Sequence, residues 1–105
     1  MANIRDNGRD FFTYEAITVA GTALSLTRAT YEPTTVGQPN AKYALMTVET
    51  DQIRVTFDGT TTPTATVGHL LNVGDTIELH GQNNIKNFQA IRVTTSASLR
   101  VSYAA

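Results

Sequence analysis

The 105-residue chain has no cysteine, no tryptophan, three prolines and only two lysines, Lys42 and Lys86. Without thiols there is neither a disulfide frame nor a thiolate metal site to hold the fold. The formal charge is −1, and the arginines are scattered along the chain. That argues against nucleic acid as a partner, because phosphate binding needs clustered basic side chains. No run approaches the roughly 18 apolar residues of a membrane span, and Met1 to Asp6 contain no apolar core segment, so neither a span nor an export signal is predicted. The chain is therefore expected to be made in a cytoplasm and to work away from membranes. Its length fits one domain, since smaller halves would be marginal.

The richest stretch is Ile53 to Leu71, IRVTFDGTTTPTATVGHLL. Ile53, Val55 and Phe57 take every second position and share one face, with Arg54 and Thr56 on the other, the pattern of a half-buried strand. Asp58-Gly59 supplies a tight reversal, and Pro63 withholds a backbone donor, so the connector is not a central strand. Similar signals recur every 10–12 residues or so. Ile17 with Val19 and Leu24 with Leu26 mark two inward faces on either side of a hairpin or corner at Gly21-Thr22. Lys42 to Glu49 is a nearly continuous apolar run read as a core strand, and Ile77 with Leu79 point inward from the next alternation. Ala90 to Thr94 and Leu99 to Tyr103 close the chain, with Ile91 and Val101 expected inside.

Between these, Thr30 to Ala41 gathers Pro33, Gly37, Pro39 and Asn40 and reads as a surface loop. Asn84 is a candidate cap for a single helical turn through Phe88. Residues 1–13 are polar with alternating charge and read as an extended N-terminal arm, leaving 14–105 as the domain. The fold class is all-β: a single antiparallel β-sandwich, immunoglobulin-like or jelly-roll-like, of about seven or eight short strands.

Catalytic patterns are sparse. His69 and His80, the only histidines, lie eleven positions apart and match no metal-ligand spacing. No serine lies in an elbow or triad setting, the glycines form no phosphate cradle, and turn chemistry explains Asp51, Asp58 and Asp75. No enzyme activity, cofactor or metal is expected. Contact is the remaining chemistry. Tyr14, Tyr43 and Tyr103 read as core filler or edge covers, whereas Tyr31 precedes a loop and is a candidate for a partner. Phe11-Phe12 ends the polar arm: two adjacent large rings cannot both be buried by one strand, so one is expected to seat in the domain and the other to meet a partner. Ile4, Arg5 and Arg9 join them as partner-binding candidates, because the arm has too little apolar content to fold alone.

The run IRVTFDGTTTPTATVGHLL, followed by VGDTIELHG, FQAIRVTT and SLRVSYAA and preceded by GTALSLTRATY, resembles small structural proteins of tailed bacteriophages encoded among head genes. These include capsid decoration proteins, also called cement or auxiliary head proteins. The likeness covers about residues 17 to 105, with one departure: Thr60-Thr61-Thr62 before Pro63 is one residue longer than the usual Asp-Gly-Thr-x-Pro-Thr form. The resemblance implies a non-enzymatic virion protein bound to the outer capsid surface. Its partner would be the major capsid protein, with self-association as a dimer or trimer also possible in that family. The same corner looks like one in immunoglobulin-like accessory modules of chitobiase-type glycoside hydrolases, which implies a carbohydrate- or receptor-binding module instead. A head or tail fibre adaptor is a third role that this resemblance accommodates.

Overall fold

The computed structural model describes residues 8–105. In chain order the elements are β1 (Phe11–Val19), β2 (Leu24–Ser25), α1 (Arg28–Tyr31), β3 (Tyr43–Glu49), β4 (Ile53–Thr56), β5 (His69–Leu71), β6 (Thr76–His80), α2 (Gln82–Asn87), β7 (Gln89–Arg92) and β8 (Ala97–Ala104). They form two four-stranded antiparallel sheets, sheet A in the order β1-β8-β3-β6 and sheet B in the order β2-β7-β4-β5. Side chains from both sheets meet in one apolar core, so the chain is the all-β sandwich that the strand spacing predicts.

Sheet A follows the two-residue period apart from one register shift near the start of β1. Ala44, Met46 and Val48 on β3 stand opposite Tyr103, Val101 and Leu99 on β8, and Leu79 and Ile77 on β6 face Ala44 and Met46. These are the inward rows. Glu15, Ile17 and Val19 of β1 extend them, paired with Val101, Leu99 and Ala97. Strand structure begins at Phe11 rather than at Tyr14, because the ladder with β8 continues, through a register shift between Phe11 and Thr13, as far as Ala104. The arm expected over 1–13 therefore gives way to the sheet by Phe11. Ile4 and Arg5, two of its candidate contact residues, lie outside the described residues.

The expected turn at Gly21-Thr22 is a corner and not a hairpin. The carbonyl of Ala20 accepts the amide of Arg92 at 3.1 Å, and Leu24 pairs with Ala90, so the chain passes from sheet A into sheet B. Two helices cover one end of the sandwich. In the stretch expected to be loop alone, α1 forms a single turn that buries Tyr31. The second helix starts at Gln82, after Gly81 at φ +96°, and not at Asn84; the Asn84 amide instead donates back to the His80 carbonyl at 2.7 Å. Glu32 ties the two together, accepting from Arg28 Nε at 2.9 Å and from Gln82 Nε2 at 2.6 Å. Those bonds hold its carboxyl below the ordinary range.

Sheet B departs from simple alternation. Thr56, expected on a solvated face, is buried, with its hydroxyl donating to the Thr61 carbonyl at 2.7 Å. Pro63 is fully buried, and Arg54 donates to the carbonyls of Ala65 and Gly68 at 3.3 and 3.2 Å. The connector 57–68 thus lies over the outer side of β4. Asp58 builds its corner by accepting from the amides of Thr60 and Thr61 and from the Thr61 hydroxyl. These bonds lower the acid's pKa. Phe57, expected inside, falls beyond the strand end and is partly exposed, its ring against His69 and Phe88. On β7 the faces are exchanged relative to expectation. Phe88 and Ala90 point inward, while Ile91 stands opposite Arg54 on the outer side. The larger Phe88 ring, delivered by the end of α2, takes the core position.

Candidate functional site

Among the described residues, no element covers the outer face of sheet A as the connector covers sheet B. The pairing places Phe11, Ala104, Tyr43 and His80 in one row across it, then Tyr14, Ser102, Leu45 and Glu78, then Ala16, Arg100, Thr47 and Thr76. The β1 side stands higher, because Phe11 is 39% and Tyr14 54% exposed.

The first row is an aromatic cluster. Tyr43 is fully buried although it points to the outer side. Phe11 meets its ring edge-on at 5.9 Å, His80 lies 5.0 Å away on the opposite flank, and the Arg9 guanidinium sits 5.3 Å over the ring. Arg9 and Phe11, two candidate contact residues, are therefore brought together at one corner of the face. Phe12 is half-buried against the core, and Phe11 remains at the surface. One row further, Arg100 fixes the second exposed ring. Its Nη1 donates to the Tyr14 hydroxyl at 3.1 Å, and its Nε lies 3.7 Å from Glu49. Tyr14, grouped by the sequence with Tyr43 and Tyr103 as core filler or an edge cover, is no core residue: the alternation that turns Ile17 and Val19 inward turns Tyr14 outward.

Tyr31 is not a surface contact residue. It is buried, its ring centroid 5.9 Å from that of Tyr103, and its carbonyl accepts the amide of Ala41 at 2.8 Å. A residue preceding a loop was expected to be accessible, but the turn of α1 directs the ring into the sandwich. Burial raises its hydroxyl pKa. Beneath it, Tyr103 Oη donates to Glu15 Oε2 at 2.5 Å. Burial first and this bond second push the phenol far above its usual range, so it acts as a permanent donor that anchors β1 on β8.

A groove of about 400 Å³ lies between Phe12, Thr13 and Tyr14 of β1 on one side and Ala29, Pro33 and Thr35 on the other. The histidines do not converge: His69 lies against Phe57 of one sheet and His80 against Tyr43 of the other. Among the described residues no three His, Asp or Glu side chains are gathered for a metal ion, and no helix is long and apolar enough to cross a membrane. No family model, curated protein or solved structure matches the chain.

Proposed function

We propose that this protein is a structural component of a virus particle, a decoration protein that binds the outer surface of a bacteriophage capsid and stabilises the filled head. Its partner is the major capsid protein, and contact is made through the outer face of sheet A. One observation carries the reading: along the β1 side of that face, which no element among the described residues covers, Phe11 and Tyr14 stand exposed over the core-backed sheet with Arg9 and Arg100 beside them. Aromatic and arginine side chains on a fixed framework are the groups that anchor protein interfaces. The order of short motifs from Gly21 to the C-terminus, which resembles phage head proteins, supports the choice of partner. The role is mechanical. Bridging neighbouring capsid subunits with an added interface of ~1,000 Å² or more opposes the outward pressure of packaged DNA, and many equivalent sites let modest affinity per site suffice.

Cosedimentation tests this reading. Purified protein should bind capsids that have expanded to their mature lattice, bind unexpanded precursors poorly, and be unaffected by bacterial surface glycans. The double substitution Phe11→Ser with Tyr14→Ser should abolish binding while the protein stays folded. Tight glycan binding without capsid association would replace the proposal with the carbohydrate-binding role. Mass spectrometry of particles gives the copy number: hundreds of copies fit decoration, about a dozen or fewer a vertex or tail position.

A further inference from the structure

Of the five aspartates, Asp58 alone is followed by glycine. That pairing carries a covalent hazard, because a glycine nitrogen has no side chain beside it to hinder attack on the neighbouring carboxyl. The hazard is a rearrangement of the backbone. The Gly59 nitrogen attacks Cγ of the protonated acid; a C–N bond forms, and the amide proton leaves with the carboxyl hydroxyl as water. Water then opens the five-membered imide at the α-carbonyl, so the chain runs on through Cγ and the α-carboxyl becomes a free acid. The product, isoaspartate, has unchanged mass.

The geometry of the connector keeps the glycine in place. Gly59 has φ +76°, and a β-carbon there would lie 2.8 Å from Cγ of Asn87 at the end of α2. Only glycine takes that conformation without strain. The turn therefore retains its hazard and restrains the carboxylate instead. Oδ1 accepts from the Thr60 amide at 3.1 Å and from the Thr61 amide at 2.8 Å, while Oδ2 accepts from the Thr61 hydroxyl at 2.6 Å. Both oxygens are occupied. Ring closure needs the acid neutral and its Cγ turned back to the Gly59 nitrogen, whereas all three donors favour the ionised form and hold it toward Thr60 and Thr61. Thr61 supplies two of these bonds, and its own carbonyl is fastened to the buried Thr56 hydroxyl. The restraint is thus anchored on β4.

We infer that Asp58-Gly59 is the site at which this chain ages by isomerisation, and that Thr61 is a positioning residue that slows it. Isoaspartate would lengthen the main chain by one carbon at this corner. The amides of Thr60 and Thr61 would then lose their acceptor, and connector 57–68 would come loose from sheet B. The inference does not depend on the capsid reading, and its test uses the isolated protein without particles.

Full-length protein kept in warm neutral buffer decides it, with isoaspartate located by electron-transfer fragmentation of tryptic peptides. The fragment from Val55 to Lys86 holds Asp58, whereas Asn7-Gly8, whose deamidation adds mass, falls in another. Isoaspartate should form at Asp58 before Asp10, Asp51 or Asp75, yet at least about tenfold more slowly than in a free peptide of residues 55–64. Thr61→Val should speed it severalfold while amide protection of Met46 and Val101 stays unchanged. Thr61→Ser, which keeps the hydroxyl, should retain the slow rate. The free-peptide rate in the unaltered protein would overturn the inference, as would a Thr61→Val variant that is no faster. Equal acceleration in Thr61→Ser would overturn it too, by assigning the effect to the shape of the side chain and not to its hydrogen bond.

Discussion

The two sheets are built on different terms. Sheet A uses strands of five to nine residues with one side in the core and, among the described residues, no connector over the other. Sheet B uses strands of two to four residues, and connector 57–68 covers part of its outer side, burying Thr56 and Pro63. Alternating hydrophobicity reports burial only where one face meets water. A sheet roofed by its own loop hides part of its pattern, and the roof has conformational requirements that the strands lack.

The sharpest division is expected from single charges. Val101→Asp or Met46→Asp places an unpaired carboxylate in the fully buried rows of sheet A and should prevent folding, as circular dichroism would show. Asp at Ile91, on the outer side of sheet B opposite Arg54, should leave a folded protein. If Ile91→Asp also unfolds the chain, the exchange of faces on β7 is wrong.

The roof of sheet B should respond next. Gly68 has φ +120°, and a β-carbon there would lie 2.8 Å from the carbonyl oxygen of Val55. Gly68→Ala should cost about 1–3 kcal/mol in denaturant unfolding; the same change at Gly37, φ +89° but with nothing within 4 Å, carries the backbone strain without the clash and costs less. A smaller loss, about 1 kcal/mol, is expected for Thr56→Val, which keeps the shape but leaves the Thr61 carbonyl without its hydroxyl donor. Indifference to this change would mean that the connector is not fastened to β4.

The smallest effect concerns acid. Hydrogen bonds from Thr61 and Thr60 to Asp58, and from Thr95 and Gln52 to Asp51, lower the pKa of both acids in the folded protein. A lowered folded-state pKa gives stability that is present above the unfolded value and lost as pH falls through the folded one. Melting temperatures should therefore decline below about pH 4, and Asp58→Asn should flatten that decline.

The strand spacing made the sandwich legible, and the inward positions of Ile77 and Leu79 on β6 and of Val101 on β8 could be read from alternation, whereas the nearly continuous apolar run of β3 marked a core strand without telling its two faces apart. Phe57 and Ile91 were misplaced because a strand ending one residue early and a ring supplied by a neighbouring helix are tertiary facts with no local period. Tyr31 was misread for a similar reason: breaker residues announce a loop without revealing the helical turn inside it. At the candidate surface, Arg9 and Phe11 were visible as oddities of a polar segment. The Tyr43–His80 flank and the Arg100–Tyr14 pair join residues 37 and 86 positions apart and exist only through strand pairing.

That β8 lies between β1 and β3 bears on how the protein is made. β1 and β8 are partners, Phe11 with Ala104 and Val19 with Ala97, so sheet A has a gap at its centre until β8 has been synthesised and is free to pair. Until then β1 and β3 offer two facing edges and an exposed apolar row to any neighbouring chain. Folding that waits on so distant a pairing is slow and vulnerable to association during synthesis. Shortening the chain by even the last strand should therefore leave two separated fragments of sheet A, with no smaller sandwich to fall back on.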